Sequence, residues 1–465
     1  MHRIILSTAI SFALILPGLT QLGSAQQYRT AKLPLLAGPV QSFAVNQAGA
    51  VAGTFQEPTG YYHGFFWSKT SGFTDIGQLV TLTGFNDSGQ VTGGFYASAK
   101  DSHAFLWTAT GGMQDLGPSG GYSAAAGINA AGQIGGTYSL SPFGPARAFL
   151  WTASTGWQDL GLGDNSFSLS INSSGQVLAY VLDASNNSYH PVLWSPPGSV
   201  LPLDVPNSTS TGVSGLNEAG QVVGNFSSVT CQSCGFIWDG ISGFQTFAAN
   251  GTNTGAQRIN STGQVAGTEG GPGPNMAFFR SEFGVIQDVG TAGGFRSFPH
   301  ALNNKGEIYA ESCPSGAGLT CHFFLWSPTS GILNSRLPIS HGYRGGTAEL
   351  NDAGQIVGNL GAKQVILLSP YMHLTMTSSL NPSKAGDNVT FTATVTSLEG
   401  APPDGEIVNF KQGSVSLATA VLIGGSASFT TPSLKVGTDL ISAVYVGDVN
   451  YDTSASGMLH QVVKP

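Results

Sequence analysis

Between Gly84 and Gly117 apolar and polar positions alternate over short spans and never settle into a helical period. Gly84-Phe85 runs into Asn86-Asp87-Ser88-Gly89, and Gln90-Val91-Thr92-Gly93-Gly94-Phe95 runs out of it. That pattern predicts two extended pieces joined by a tight turn. Asn initiates such a turn through its side chain, and Gly takes the positive φ that closes it. The next stretch, His103-Ala104-Phe105-Leu106-Trp107-Thr108, is apolar or aromatic at successive positions. Strands buried on both faces have that composition. Thr110-Gly111-Gly112 predicts another turn, and Met113-Gln114-Asp115-Leu116-Gly117 a fourth short strand. Four strands with no intervening helix form the unit of a β-propeller blade, in which each small sheet packs face to face on its neighbours.

The Asn-x-x-Gly turn recurs eight times, beginning at Asn46, Asn86, Asn129, Asn172, Asn217, Asn260, Asn303 and Asn351, with spacings of 40 to 48 residues. A period in that range marks a repeat architecture. The third-strand Trp recurs as Trp67, Trp107, Trp151, Trp194, Trp238 and Trp326, with Arg280 and Leu368 in its place in the sixth and eighth units. The fourth-strand Asp recurs as Asp75, Asp115, Asp159 and Asp288, with Asp204 a looser match. The eighth unit lacks a fourth strand of its own, because Leu368-Ser369-Pro370 leads directly into a different sequence. Tyr28 to Leu33 precedes the first Asn-x-x-Gly as a fourth strand precedes each later one, and is expected to supply the missing strand. A ring closed in this way has no free sheet edge, which removes an aggregation hazard. The expectation is therefore an all-β chain with about eight four-stranded blades. An open, solenoid-like stack is the alternative, because sequence does not fix how the sheets curve.

The segments His103 to Thr108, Gly112 to Gly117 and Ile128-Asn129-Ala130-Ala131-Gly132-Gln133-Ile134 resemble the bacterial extracellular repeats called HAF repeats, and the resemblance extends over Tyr28 to Pro370. It implies location more than chemistry. After Pro370 the period stops. Alternating stretches such as Asn388 to Val395, with turn signals at Gly400, Pro402-Pro403-Asp404-Gly405 and Gly424-Gly425, predict a β-sandwich. Ala385-Gly386-Asp387-Asn388-Val389-Thr390-Phe391, Ala443 to Asp448 and Asn450-Tyr451 resemble the bacterial Ig-like (group 3) domains of cell-surface proteins. That resemblance implies a spacer or adhesive unit. No Cys lies in the module, so packing alone must hold its sheets together.

Arg3, the apolar run Ile4 to Leu16 and the small residues Gly23-Ser24-Ala25 read as an export signal. The run is short for a membrane span, which disfavours an uncleaved anchor. The expected division is a signal peptide over 1–25, a propeller over 26–370 and an Ig-like domain over 371–465. The mature chain is expected to be secreted or at the cell surface, with the periplasm an alternative, and to carry no integral membrane segment. Only 9% of residues are charged, but 41% are hydrophobic and 10% aromatic, so the chain can bury a large core and is not disordered. A net charge of −8 gives no footprint for nucleic acid, since phosphate binding needs clustered Lys and Arg.

Four cysteines fall into two close pairs, Cys231/Cys234 and Cys313/Cys321, just before Phe-rich strands. Disulfide staples across a loop fit an exported chain better than redox or zinc chemistry, which wants a βαβ context or a second nearby pair. His63, His103, His190 and His322 each stand four residues before the third-strand Trp or its equivalent. Equivalent positions on separate blades lie too far apart for one metal ion, so packing and hydrogen bonding are expected of them. The Trp series is assigned to the core instead of to sugar-stacking platforms, and the Asp series to local turns instead of to paired glycosidic carboxylates. Arg280 breaks the Trp register and is the one tentative ligand-facing residue, a snorkelling side chain being the alternative. No nucleophile elbow, metalloprotease helix, phosphate loop or calcium loop occurs, so no catalytic residue, metal or cofactor is expected. The expected function is non-enzymatic binding, adhesion or scaffolding outside the cell, toward polysaccharide or a surface protein. A secreted carbohydrate-active propeller enzyme and a purely structural spacer are the alternatives.

Overall fold

The computed structural model describes residues 28–465 except 35–37, 79–80, 99–100, 119–120, 142–143, 248–252, 271–272, 316–319, 340–349, 398–399 and 449. The expected signal peptide lies outside the described residues. Blade 1 is an antiparallel sheet of Val40–Val45, Val51–Gln56, Tyr62–Ser68 and Gly72–Gln78, paired in chain order. Blades 2 to 7 repeat that order and open with Thr81–Phe85, Tyr122–Ile128, Phe167–Ile171, Ser210–Leu216, Asn253–Ile259 and Arg296–Leu302.

Blade 8 combines both ends of the repeat region. Tyr28–Lys32 pairs antiparallel with Val365–Pro370, which pairs with Ile356–Asn359, and Leu350 bridges to Ile356. The N-terminal segment is thus the outer strand of the last blade. The seam to blade 1 is closed by the Val40 amide on the Ala362 carbonyl at 2.8 Å and the Ser42 amide on Asn359 Oδ1 at 3.2 Å. The sheets form a closed ring, which excludes the open stack.

Each Asn-x-x-Gly is the hairpin between the first and second strands of its blade. The Gly amide donates to the Asn carbonyl, and the Asn amide pairs with the carbonyl four residues on. The eight turn glycines have φ between 69° and 85°, a region in which a Cβ is strained. Three residues before each Asn of blades 1 to 7, the register slips by one residue, as at Phe43, Thr83 and Ala126. Such bulges sharpen strand twist.

The third strands explain their own composition. Phe65 packs with Val357 and Leu367 of blade 8, whereas its neighbour Phe66 packs with Val91, Phe105 and Trp107 of blade 2. Successive side chains point to opposite faces, and both faces are covered, so no polar alternation is required. Trp107, Trp151, Trp194 and Trp326 are buried, and the Trp107 and Trp326 rings lie 5.3 and 5.4 Å from Phe66 and Phe279 of the preceding blades. These are core residues, as expected.

The second unit is a β-sandwich. Three strands, His373–Ser378, Val389–Thr396 and Ser426–Thr431, face a sheet centred on Ile407–Gln412, Gly437–Tyr445 and Leu459–Lys464. Phe391, Phe410, Ile441 and Tyr445 fill the space between them with no disulfide. The sandwich meets the propeller at blades 8 and 1, where Asp452 receives Lys69 at 3.0 Å and faces Arg29 at 4.0 Å.

Candidate functional site

First and third strands run toward the Asn turns, and second and fourth strands run back. The propeller therefore has an Asn end and an opposite, open end, formed by the connections between second and third strands and between blades.

At the Asn end the eight side chains link the blades into a circle. Asn46 Nδ2 donates to the Asn86 carbonyl at 3.1 Å, and Asn86 does the same to Asn129 at 3.0 Å. The chain continues through Asn172, Asn217, Asn260, Asn303 and Asn351, whose Nδ2 returns to the Asn46 carbonyl at 3.0 Å. Each Oδ1 accepts the amide four residues on, so one buried side chain holds its own hairpin and the next blade together. In six blades a Gln four residues after the Asn accepts a second Nδ2 bond, and in blade 7 Glu307 takes that role at 2.7 Å. The turn glycines are required twice over, since a Cβ at Gly132, Gly220 or Gly263 would also meet the preceding blade's Gln Oε1 at 2.9 Å or less. Burial pushes the Glu307 carboxyl above its ordinary range, with Asn303 and Lys305 opposing.

A depression of about 260 Å³ at the centre of this end is lined in part by Gln47, Glu218, Ser261, Asn304 and Asp352. Its polar groups are engaged with one another. Glu218 accepts the Ser173 amide at 2.7 Å, and Asp352 accepts the Asn304 amide at 2.7 Å. These carboxylates cap backbone amides between blades.

The open end is different. Its outer rim carries the His and Asp series, brought together because the third strand starts there and the fourth strand ends there. His63, His103 and His190 Nδ1 lie 3.1, 3.0 and 2.9 Å from Asp75, Asp115 and Asp204. Asp75, Asp115, Asp159 and Asp288 also accept the amide two residues on at 2.7 to 2.8 Å. Both series thus hold local structure, and each carboxylate is committed within its own blade. Arg147 replaces His in blade 3 and pairs with Asp164 at 2.6 Å. Asp164 holds the guanidinium above its usual range. Glu57, His63 and Asp75 could offer a metal three ligand atoms. Both His63 nitrogens already face carboxylates, however, with Nε2 at 3.5 Å from Glu57.

The same end also carries aromatic side chains that the period did not announce. Tyr61, Tyr62, Tyr96, Tyr122, Tyr189 and Phe295 are all exposed, from 38% to 61%. They lie in or beside the open-end connections of blades 1, 2, 3, 4 and 7. Five residues before each Asn, the inner strands place Gln41, Thr81, Ala124, Phe167, Gly212, Gly255 and Phe298, cross-strand from Thr54, Gly94, Thr137, Tyr180, Asn225, Thr268 and Glu311. Variation at this fixed offset from each Asn was legible in the sequence, whereas the exposed aromatics stand at no common offset.

Cys231–Cys234 and Cys313–Cys321 are disulfides with Cα separations of 6.0 and 4.2 Å, both stapling open-end connections. The sulfurs of the second pair lie near Glu311, but bonded to each other they offer no thiolate to a metal. Arg280, expected to face a ligand or to snorkel, lies in the core. It is buried between blades 5 and 6, 5.1 Å over the Phe247 ring, with Nη2 donating to Gln245 Oε1 at 3.4 Å. Burial lowers its pKa. The long side chain fills the Trp position by stacking, and finds its polar partner in the adjacent sheet.

Residues 376–464 match the family of bacterial Ig-like domains (group 3). Curated protein sequences give no match to the chain. Among solved structures the chain is similar to a streptogramin B lyase, at 9% identity over 75% of this chain and 100% of that one, with a TM-score of 0.40. It is similar to the β-propeller domain of the trilobed protease from Pyrococcus furiosus, at 10% identity over 62% and 96%, with a TM-score of 0.43. Dipeptidyl peptidase 4 from Porphyromonas gingivalis is similar at 8% identity over 79% and 59%, with a TM-score of 0.46. These likenesses transfer no chemistry.

Proposed function

We propose that this protein is an exported, HAF-type, non-enzymatic binding protein that holds extracellular polysaccharide at the open end of its propeller. The exposed aromatic side chains contributed there by five blades support the reading. Tyr and Phe present large, rigid faces at low entropic cost, which suits them to recognition surfaces. Flat aromatic faces suit the C–H faces of sugar rings. The Ig-like unit serves as a spacer or attachment module, and its contacts at Lys69 and Arg29 keep it at the Asn end, away from the proposed ligand. The two disulfides and the bacterial Ig-like match are compatible with an extracellular or periplasmic setting, and no helix among the described residues is long and apolar enough to cross a membrane.

The committed carboxylates of the rim support a non-enzymatic role, because glycoside hydrolysis needs two carboxyl groups converging on one bond. A panel of soluble polysaccharides run as affinity gels, with product analysis of each incubation, tests the reading. Retention without new reducing ends is expected. New reducing ends would replace it with an enzyme, and retention by no polysaccharide would leave a spacer.

A further inference from the structure

The open end is not uniform, and the positions five residues before each Asn show where it widens. Blades 5 and 6 carry Gly212 and Gly255 there, side by side in the ring. Neither glycine is required by the backbone, since neither has a positive φ. Neither is required by packing, since a Cβ at Gly212 would meet only Tyr180 Oη at 3.7 Å and the Asn225 carbonyl at 3.9 Å. At Gly255 the nearest atoms are Thr268 Oγ1 at 3.6 Å and Asn225 Nδ2 at 3.8 Å. All are ordinary contact distances. A glycine inside a strand weakens it, and one that no turn or clash demands leaves room for another molecule to approach the backbone closely.

The surroundings of the two glycines define what can approach. On the blade 4 side Phe167, Tyr180 and Tyr189 form one cluster, with ring centroids 5.3 Å apart for both Phe167 pairs. The Val213 amide of blade 5 donates to Tyr180 Oη at 3.0 Å, so the wall is tied to the floor it borders. Asn225 is exposed between the glycines, and beyond Gly255 the Gln257 Nε2 donates to Thr268 Oγ1 at 3.1 Å. This strip offers an aromatic wall, two backbone stretches without side chains, and amide and hydroxyl groups. It carries no charged side chain of its own, and the acidic Asp183 and Asp204 stand beyond the wall at the end of blade 4.

We infer that the strip from Tyr189 through Gly212, Asn225 and Gly255 to Thr268 is a binding groove for an uncharged polysaccharide chain. One sugar face stacks on the Phe167–Tyr180–Tyr189 wall, hydroxyls reach Asn225 and Thr268, and the glycines admit the chain against the backbone. The neighbouring cation, Arg258, is exposed on the same inner strand as Gly255 but is turned to the backbone, with Nε and Nη1 donating at 3.1 Å to the His300 and Gln257 carbonyls, and at the other margin a polyanion would meet carboxylates. The inference rests on the polysaccharide-binding reading and narrows it to one groove and one charge class.

Affinity electrophoresis of the full chain tests it, using hydroxyethyl cellulose and galactomannan as uncharged probes, alginate as the anionic probe and glycol chitosan as the cationic one. Tyr189→Ala, Asn225→Ala and Gly212→Val are compared with the wild type, each with a thermal melt to verify folding. Retention by an uncharged probe, insensitive to salt and about tenfold weaker in Tyr189→Ala and in Gly212→Val, is the expected result. If Gly212→Val fails to fold, Tyr189→Ala and Asn225→Ala, both at exposed positions, still decide. Wild-type retention on an uncharged probe that all folded variants preserve overturns the groove while leaving polysaccharide binding in place. Salt-sensitive retention on alginate or glycol chitosan alone overturns the charge class. Retention on none of the four overturns both readings together.

Discussion

The two ends of the propeller are built from the same repeats and obey opposite rules. At the Asn end every blade contributes the same residue to the same bond, and the circle closes from Asn351 to Asn46. At the open end equivalent positions carry Gln, Thr, Ala, Phe, Gly, Gly and Phe in successive blades. A buried side chain that donates to the next blade's backbone carbonyl cannot vary without leaving that carbonyl unpaired. A side chain that faces solvent or a ligand is free of that constraint. The period is thus preserved where blades must join, and individuality accumulates where they need not.

Breaking the circle should have the largest effect. Asn172→Ala removes the bonds to the Asn217 carbonyl, to Gln176 Oε1 and from the Ser174 and Gln176 amides, and leaves buried groups without partners. A loss of about 3 kcal/mol in unfolding free energy is expected by chemical denaturation, with polysaccharide retention unchanged once the variant is folded. A smaller loss, about 2 kcal/mol, is expected on replacing Cys231 and Cys234 together by Ser, because a short loop gains little from its cross-link. Chemical denaturation of the double variant measures it.

Glu307→Gln sharpens the comparison in the other direction, by restoring the residue six other blades use. Burial raises the folded-state pKa of Glu307 above its ordinary 4.5, so the folded chain holds this proton more tightly than the unfolded chain. Its penalty is absent below 4.5 and grows as pH rises to the raised value. The variant should therefore melt higher than the wild type at neutral pH, and the gap should close as pH falls toward 4.5. A gap independent of pH would mean that packing, not ionisation, separates the two side chains. The smallest effect belongs to the open end. Tyr96→Ala at an exposed rim position should change stability by no more than about 0.5 kcal/mol in a thermal melt.

Much of the architecture was legible because it rests on local rules repeated eight times. Asn with Gly three residues later encodes a hairpin wherever it stands, and an unbroken apolar strand such as Ala104 to Trp107 encodes burial on both faces. The need for Tyr28 to Leu33 in the last blade followed from a missing strand. The core setting of Arg280 was not legible, because the sequence shows that Trp is absent from blade 6, but not that Phe247 and Gln245 of blade 5 wait across the interface. The His and Asp series were each assigned local work, yet their pairing in register had to come from strand direction.

The sequence by itself determined the unit, its number and the residues that must be buried, since these follow from turn chemistry and periodicity within a few residues. The tertiary structure decided that the stack closes, that Asn joins each blade to the next as well as turning its own hairpin, and that Gly212 and Gly255 lie together beside an aromatic wall. Those facts concern groups from 40 residues apart in the chain to the 305 that separate Asn46 from Asn351. They depend on how twisted sheets pack around a common axis, which no local pattern records.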